Sequence, residues 1–333
     1  MVRRYYRPIL SEGAKEMGGL PLAGGPFSFA RAEVLTRAGS EGFVDAADVP
    51  LDWLERLTRP RPLLARFTQP LPLVMGILNI TPDSFSDGGR HDAPDAAIAA
   101  ARAMHAAGAA IIDVGAESTR PGAPELPVAD ELARLAPLWT GLAGLPVSID
   151  TRKSPVMAVA LDQGAMIVND VSALGHDPAA MALVAARGCP VILMHHQGTP
   201  ETMQIAPQYD NALLDVFDWL EGRIAAAMAG GIAPDAIIAD PGIGFGKGLD
   251  HNLALLKGLS LLHGLGVPIL LGASRKSLIS KLAGELPVEQ RLPGSLALAL
   301  AGADAGVQIM RVHDVPETAQ ALAVWRACHP VRA

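Results

Sequence analysis

The chain has 333 residues, of which 50% are hydrophobic and 18% are charged, and its formal net charge is −7. Such a composition excludes an intrinsically disordered chain, and the acidic balance argues against binding to nucleic acid through a broad basic face. The length suits one large domain, or a barrel of about 250 residues with an appendage.

The cysteine content and the apolar runs bear on location. Cys189 and Cys328 stand far apart and have no neighbours with metal-ligand spacing, so we expect free thiols in a reducing, cytoplasmic compartment. The basic residues 1–7 are not followed by an apolar segment, so a secretory signal is not expected. No uncharged apolar run reaches the roughly 18 residues of a membrane-spanning helix, so no membrane contact is predicted.

Residues 1–70 lack the regular pattern of the rest and are predicted to form a small N-terminal extension. Glycine- and proline-rich breaks at 18–21 and 24–26 precede a candidate strand at 27–35. A short helix is predicted at 48–58, where Asp48 could cap the first turn and Leu51, Leu54 and Leu57 recur at helical spacing. The segment 59–62 is typical of a stiff linker. We expect a structural or oligomer-contacting role for the extension.

From about residue 73 short apolar runs alternate with amphipathic stretches. The predicted strands are 74–80, 110–114, 147–150, 166–169, 191–195, 236–240, 268–272 and 307–312. The predicted helices are 94–107, 128–143, 154–163, 178–187, 210–230, 251–264, 276–283 with 289–303, and 314–327. About eight such units predict a single (β/α)₈ TIM barrel over residues 71–333. An open doubly wound sheet is the alternative, although no Gly-x-Gly-x-x-Gly follows the first strand.

Polar residues stand at the carboxyl ends of the predicted strands, where barrel enzymes carry their reactive groups. They are Asn79, Asp113 with Glu117, Asp150, Asn169 with Asp170, His195 with His196, Asp240, Ser274 to Lys276, and Arg311 with His313 and Asp314. Single cases have simpler explanations, since Asp150 could cap the helix near Ser154 and His313 could be a structural histidine. Eight polar ends together predict a functional site.

The acidic and amide groups indicate one kind of ligand. Asp150, Asn169 and Asp240 follow different strands of one barrel and should converge at its mouth. Carboxylates and an amide can bind the adjacent N–H donors along the edge of a planar, guanidine-like heterocycle. We therefore expect a flat nitrogen heterocycle in this part of the site.

The basic groups indicate a second kind of ligand. Lys276, Arg311 and His313 offer cationic donors on the other side of the mouth, and arginine favours bidentate contact with phosphate. Asn79 offers a hard oxygen that could reach a Mg²⁺ ion bridging such phosphates. This half of the site is predicted to bind a phosphate or diphosphate.

Three loops next to these strand ends have unusual compositions. Residues 81–89 and 117–122 are polar and contain glycine or proline, so they could act as mobile lids, and Arg120 could meet anionic oxygens. Residues 240–247 contain three glycines, which let the backbone approach a ligand, and Phe245 could stack on a flat ring. The spacing is not that of a P-loop.

Together these segments resemble the dihydropteroate synthase family. The two long matches are GILNITPDSFSDGG at 76–89 and IIDVGAESTRPG at 111–122. The shorter ones follow in the family's order: SIDT at 148–151, ND at 169–170, MH at 194–195, DPG at 240–242, SRK at 274–276 and RVHD at 311–314. The resemblance covers residues 73–327. Ala116 departs from a frequent glycine and His196 from a frequent methionine, and neither carries a charged role.

The resemblance implies condensation of 6-hydroxymethyl-7,8-dihydropterin diphosphate with p-aminobenzoate to give dihydropteroate and diphosphate. It implies that Asp150, Asn169, Asp240 and Lys276 bind the pterin, with Met194 and Phe245 lining its pocket, and that Asn79 helps to hold Mg²⁺. It assigns Thr119, Arg120, Arg311 and His313 to the diphosphate, and Thr119, Pro121 and Ser274 to p-aminobenzoate, whose site sulfonamides share. Asp150, Lys276, Arg311 and His313 are the predicted catalytic set. A homodimer through barrel helices is also implied, and the apolar stretch 296–300 would suit it.

Two other functions compete with this one. A methyltransferase that uses methyltetrahydrofolate would share the fold and the pterin pocket but needs no diphosphate site, so the cationic residues argue against it. A non-catalytic pterin-binding paralogue serving a partner protein would be expected to have lost a strand-end residue, and none is visibly lost here.

Overall fold

The computed structural model describes residues 2–11, 18–23, 25–80, 93–117, 125–198, 203 and 206–329. An N-terminal extension is built from the antiparallel strands β1 (Tyr5–Ser11), β2 (Leu20–Pro21), β3 (Ser28–Thr36) and β4 (Gly39–Asp45) and from helix α1 (Leu51–Thr58). A parallel sheet with helices between its strands follows. The division of the chain into extension and barrel therefore coincides with a change from antiparallel to parallel pairing.

Eight parallel strands form the barrel wall. They are β5 (Leu73–Asn79), β6 (Ile111–Gly115), β7 (Val147–Asp150), β8 (Ile167–Asp170), β9 (Val191–Met194), β10 (Ile237–Asp240), β11 (Leu270–Leu271) and β12 (Ile309–Val312). Their order is β10-β9-β8-β7-β6-β5-β12-β11, and a bridge between Ala239 and Ile269 joins the two ends. The predicted (β/α)₈ barrel is confirmed, and the open-sheet alternative is wrong.

The helices of the barrel lie close to their predicted positions. They are α2 (Ala93–Ala106), α3 (Val128–Leu135), α4 (Trp139–Leu142), α5 (Ser154–Asp162), α6 (Ala180–Arg187), α7 (Ala212–Ala229), α8 (Leu249–Lys257), α9 (Ser277–Ala283), α10 (Leu292–Asp304) and α11 (Val315–Cys328). The stretch predicted as one helix at 128–143 is interrupted by a 3₁₀ turn at Ala136–Leu138, because Pro137 has no N–H to donate. No helix in the described part of the chain is long and apolar enough to cross a bilayer.

The bottom of the barrel is filled by the segment that joins it to the extension. A 3₁₀ turn at Pro62–Arg66 inserts Leu63 and Leu64 among the first residues of the strands, in a cluster with Met75, Ile111 and others. The segment 59–62, predicted as a stiff linker, packs against the protein. Arg61 is buried and donates hydrogen bonds to the carbonyl oxygens of Arg56, Arg59 and His263. This end of the barrel is therefore closed by apolar packing, which leaves the carboxyl ends of the strands for a site.

The extension packs against α7 through aromatic rings. Trp53 of α1 stacks on Phe217 with ring centroids 5.5 Å apart, and Tyr5 of β1 meets the same Phe217 edge-on at 5.7 Å. Two details differ from the sequence prediction. Asp48 does not cap α1, because the helix begins at Leu51 after Pro50, and Leu51 is 83% exposed while Trp53 supplies the buried contact.

Candidate active site

Two carboxylates, an amide and a guanidinium form one network at the barrel mouth. Arg311 of β12 donates from Nε to Asp113 Oδ2 at 2.6 Å and from Nη2 to Asp150 Oδ2 at 2.7 Å. Asn169 of β8 donates from Nδ2 to the same Asp113 oxygen at 2.9 Å. Asp113, the third residue of β6, therefore contacts Asn169 and Arg311, and Arg311 links it to Asp150 of β7. Asp150 and Asn169 converge as predicted, whereas Arg311, predicted on the other side of the mouth, lies with the two carboxylates because their charges pair with its guanidinium.

Asp113 is the residue whose importance sequence reasoning missed. The sequence shows it only as a strand end, yet its Oδ2 accepts hydrogen bonds from both Asn169 and Arg311. Its Oδ1 is buried and has no hydrogen-bond partner among the described residues. A buried carboxylate oxygen without a partner is costly, so this oxygen is suited to accept a hydrogen bond from a ligand or a water molecule.

The network shifts the protonation of its members. Burial raises the pKa of Asp150 to about 7, with Asp113 and Asp170 adding to the rise and Arg311 opposing it. Burial acts against the charge of Arg311, but Asp113 and Asp150 together raise its pKa above the ordinary value. Asp150 is therefore poised to hold or release a proton near neutral pH.

The simpler explanation of Asp150 as a helix cap does not hold. Helix α5 begins at Ser154, and the Ser154 N–H donates to Asp177 Oδ2 at 2.7 Å instead. The carboxylate of Asp150 is directed to Arg311, which lies 161 positions away in the chain. Its place at the end of β7 therefore contributes to the mouth and not to the helix.

Asp240 and the glycine-rich loop after β10 form a second part of the mouth. Asp240 Oδ1 accepts a hydrogen bond from the Gly242 N–H at 2.7 Å, and burial raises the pKa of this carboxyl. Gly242 has φ +65°, and a Cβ atom there would lie 1.9 Å from the carbonyl oxygen of His195. Only glycine allows the loop to lie this close to the end of β9, next to the buried Met194.

Lys276 and Phe245 face each other across the same mouth. Lys276 Nζ lies 4.0 Å from the centroid of the Phe245 ring, a distance at which the ring attracts a cation. Burial, reinforced by Arg311, lowers the pKa of Lys276 to about 8. The ring and the ammonium group hold each other in place; Lys276 is predicted to bind the pterin and Phe245 to line its pocket.

Ser274 and His313 meet beside the strand ends of β11 and β12. The His313 backbone N–H donates to Ser274 Oγ at 3.2 Å, and this hydroxyl lies 3.1 Å from His313 Nδ1. Burial, followed by Arg275, lowers the pKa of His313 to about 4. The imidazole is therefore neutral near pH 7, whereas the sequence predicts a cationic donor.

Some of the remaining predicted site residues lie outside the part of the chain that the structure describes. Thr119, Arg120 and Pro121 lie outside the described residues, as does the loop 81–89. Asn79 is half-buried at the end of β5, in register with Gly115 of β6. The described residues contain no group of three or more His, Cys, Asp or Glu side chains that could hold a metal.

A buried ionic cluster lies beside the mouth, below the start of the second loop. Glu117 Oε1 accepts from the Leu126 N–H at 2.9 Å and lies 3.1 Å from Lys153 Nζ, which also contacts Glu131 at 2.7 Å. Burial alone would raise the pKa of Glu117, but hydrogen bonds from Arg152, Leu126 and Lys153 lower it. The sequence showed Glu117 as a strand-end residue, whereas the structure shows that it anchors the residues on either side of 118–124.

The chain matches the family model of pterin binding enzymes over residues 75–313. It is 48% identical to the dihydropteroate synthase of Escherichia coli K12 over 259 residues, which is 77% of this chain and 91% of that relative. It is 46% identical to the Neisseria meningitidis serogroup B enzyme of the same name, over 77% of this chain and 92% of the relative. The chain belongs to the dihydropteroate synthase family.

Solved dihydropteroate synthases share the fold as well as the sequence. The Yersinia pestis enzyme, solved with a sulfonamide drug, superposes with a TM-score of 0.73 at 45% identity, covering 78% of this chain and 94% of that one. The Xanthomonas albilineans enzyme with 4-aminobenzoic acid gives a TM-score of 0.74 at 45% identity, covering 79% and 94%. The same enzyme with 7,8-dihydropteroate gives 0.71 at 42% identity, covering 79% and 95%.

These matches bear on the competing functions and on the extension. The relatives are named as synthases, so neither the methyltransferase nor the non-catalytic paralogue is favoured. The family match begins at residue 75, and residues 1–70 therefore lie outside it.

Proposed function

We propose that the protein is a dihydropteroate synthase that condenses 6-hydroxymethyl-7,8-dihydropterin diphosphate with p-aminobenzoate, giving 7,8-dihydropteroate and diphosphate. One observation carries the proposal: the buried network of Asp113, Asp150, Asn169 and Arg311 stands at the mouth of a barrel that belongs to this family. Its relatives with 4-aminobenzoic acid and with 7,8-dihydropteroate support the choice of substrate and product.

The acidic and amide groups would recognise the pterin edge. Asp150, Asn169 and Asp240 supply oxygens that accept from the ring N–H and amino groups, and Lys276 supplies a donor for the ring carbonyl. Asp150 Oδ2 accepts a hydrogen bond from the Nη2 group of Arg311. A pterin that donates to Asp150 takes over that contact, which frees the guanidinium to turn toward the diphosphate.

The chemical step breaks the bond between the pterin methylene carbon and the diphosphate oxygen, and diphosphate leaves with the bonding electrons. The aryl amine of p-aminobenzoate forms the new C–N bond and then loses one proton. Arg311 would stabilise the charge that develops on the leaving oxygens, and the Asp150 carboxylate would stabilise the positive charge on the pterin. Neutral His313 would donate a hydrogen bond rather than contribute a full charge.

The residues present fit a magnesium ion of the kind that phosphate substrates bring with them. Mg²⁺ retains several waters and needs only one or two protein oxygens beside the phosphates, and the Asn79 amide at the end of β5 supplies one. When bound, the ion would neutralise charge on the departing diphosphate. Asn79 would help to hold it.

The decisive experiment measures diphosphate release from dihydropterin diphosphate and Mg²⁺, with and without p-aminobenzoate. We expect release that requires p-aminobenzoate, with dihydropteroate formed in equal amount. Pterin binding without any release would overturn the proposal and favour the non-catalytic paralogue. The Arg187→Met variant, changed at an exposed position on the last turn of α6, should retain full turnover.

Sulfonamides should inhibit the reaction in competition with p-aminobenzoate. The relative from Yersinia pestis was solved with a sulfonamide drug, and residues Ser118 to Gly122 retain the family's second motif. We assign Thr119, Pro121 and Ser274 to this shared site. Inhibition that p-aminobenzoate does not relieve would contradict the assignment.

The homodimer and the cytoplasmic location are further parts of the proposal. Helix α10 exposes Pro293, Ala297 and Ala301 along one side, with the partly buried Leu296 and Leu300 beside them. An Ala297→Arg substitution should convert a dimer into monomers in sedimentation experiments.

Cys189 and Cys328 are both free thiols, consistent with the reducing compartment expected from the sequence.

A further inference from the structure

The side chain of Lys247 turns inward from the glycine-rich loop and is almost fully buried, with 3% of its surface exposed. Its ammonium nitrogen lies 2.8 Å from the Gly242 carbonyl oxygen, 2.9 Å from the Phe245 carbonyl oxygen and 2.9 Å from His195 Nδ1. An ammonium group has three N–H donors, and here each has an acceptor. Lys247 therefore joins two points of its own loop to the residue that follows β9.

Other side chains hold the same loop from outside. Asn252 of α8 accepts from the Gly244 N–H at 2.8 Å and donates to the Lys247 carbonyl oxygen at 3.2 Å. The Tyr209 hydroxyl donates to the Gly246 carbonyl oxygen at 2.8 Å. The loop has little regular backbone pairing, so these side chains and Lys247 determine its shape.

The loop shape decides where the Phe245 ring stands. The Phe245 carbonyl oxygen is one of the three acceptors of Lys247, and the ring of the same residue contacts Lys276 Nζ. We propose that Lys247 is a positioning residue for the synthase reaction: by clamping the loop 242–247 to His195, it fixes Phe245 against Lys276 at the pterin site. This inference rests on the proposed function, and it adds a residue that touches no substrate.

The charges around Lys247 make the clamp sensitive to pH. It faces His195 after β9, Asp240 of β10 and Lys276 before α9, with His196 beyond His195. Burial lowers the pKa of Lys247 to about 7, which Asp240 opposes and Lys276 reinforces. Burial and Lys247 lower the pKa of His195 to about 2, so the imidazole stays a neutral acceptor. Loss of the lysine proton removes one N–H donor and the positive charge that strengthens the bonds to the two loop carbonyl oxygens, so the clamp weakens as the pH rises through 7.

The test compares Lys247→Met with Lys257→Met, a control at an exposed lysine on the last turn of α8. Lys247→Met should raise KM for dihydropterin diphosphate at least about tenfold and lower kcat by a smaller factor, because the loss is one of substrate positioning. Amide hydrogens of residues 242–246 should exchange faster in this variant. Lys257→Met should match the wild type in both measurements.

The pH profile separates positioning from general stability. Between pH 6 and 7.5 the wild-type KM should rise more steeply than the KM of Lys247→Met, because Asp150, whose pKa is about 7, titrates in both proteins. Asn252→Ala loosens the same loop but retains the ammonium group, so its KM should be raised and should still rise with pH. If Lys247 had only a structural role, its substitution would lower stability, but the pH dependence of KM would be the same in Lys247→Met and Asn252→Ala.

Several outcomes would overturn the assignment. A folded Lys247→Met variant with KM within about twofold of the wild type would do so. If that variant does not fold, a wild-type KM that is flat between pH 6 and 7.5, or an unchanged KM in Asn252→Ala, would do so instead. If the wild-type protein shows no synthase turnover, the proposed function is wrong. The amide hydrogen exchange of residues 242–246 in the wild type and in Lys247→Met then tests the clamp independently of activity.

Discussion

Replacing Arg311 with methionine removes the only guanidinium that the described structure pairs with Asp113 and Asp150, and keeps a side chain of similar length. Arg311 is 20% exposed, Asp113 is fully buried and Asp150 is 12% exposed. Removing one partner of a buried ion pair costs about 3–5 kcal/mol, because the other charge stays buried without compensation. We take the lower end, about 3 kcal/mol at pH 8, because Arg311 retains some contact with solvent.

The loss in free energy of unfolding should depend on pH in a definite direction. The folded pKa of Asp150, about 7, lies above the ordinary value of a carboxyl, so its contribution to stability falls as the pH rises toward 7 and is constant above that. Without the guanidinium the folded pKa lies higher still, so the variant continues to lose stability above pH 7. The stability lost by Arg311→Met relative to the wild type should therefore be smaller at pH 6 than at pH 8. Between these pH values it should change by about 1.4 kcal/mol for each unit by which the substitution raises the pKa of Asp150.

Urea denaturation at pH 6 and pH 8, followed by circular dichroism, measures both quantities. Arg187→Met is the matched control, because its partner Asp162 is largely exposed and such surface pairs contribute about 0–1 kcal/mol. Turnover of the Arg311→Met variant should fall at least about a hundredfold, since a charge aimed at the leaving group is lost. A loss below about 1 kcal/mol at both pH values would refute the reasoning about the buried network.

Three further predictions concern other parts of the chain. Burial lowers the pKa of His263 to about 4, so the free energy of unfolding falls as the pH drops below the ordinary histidine pKa. In urea titrations the wild type should therefore lose about 2 kcal/mol more than His263→Gln between pH 7 and pH 5. Leu63→Ala should cost about 3 kcal/mol in urea unfolding, whereas Leu51→Ala, at an exposed position, should change stability by less than about 0.5 kcal/mol; equal effects would contradict the plug at the barrel bottom. Gly242→Ala should cost at least about 2 kcal/mol and abolish turnover, because a Cβ atom would meet the His195 carbonyl oxygen; an active, stable variant would show that the loop can move away.

The barrel could be predicted from the sequence because its signals are local. Each strand is a continuous apolar run that ends in a polar or glycine residue, as in β7, where the predicted and observed bounds are both 147–150. The extension could not be predicted as fully. Strand β4 has exposed or half-exposed residues throughout, so it lacks the alternation that marks a strand, and its pairing with β3 depends on tertiary structure.

The site was predictable by residue type but not by partner. The strand ends identified Asp150, Asn169 and Arg311, yet nothing local shows that Arg311 binds carboxylates 161 and 198 positions earlier. The neutral state of His313 also depends on burial and on Arg275, which only the folded chain reveals. Lys247 shows the same limit, since the sequence displays a lysine after three glycines but not that its side chain turns inward.

The two ends of the barrel contribute to stability in different ways. At the mouth, buried groups such as Asp150 and Lys276 have pKa values shifted toward their neutral forms, a sign that burial destabilises their charges. At the bottom, Leu63 and Leu64 add apolar contacts that involve no charge. Substitutions at the bottom should therefore change stability with little effect on turnover, while substitutions at the mouth should impair turnover as well as stability.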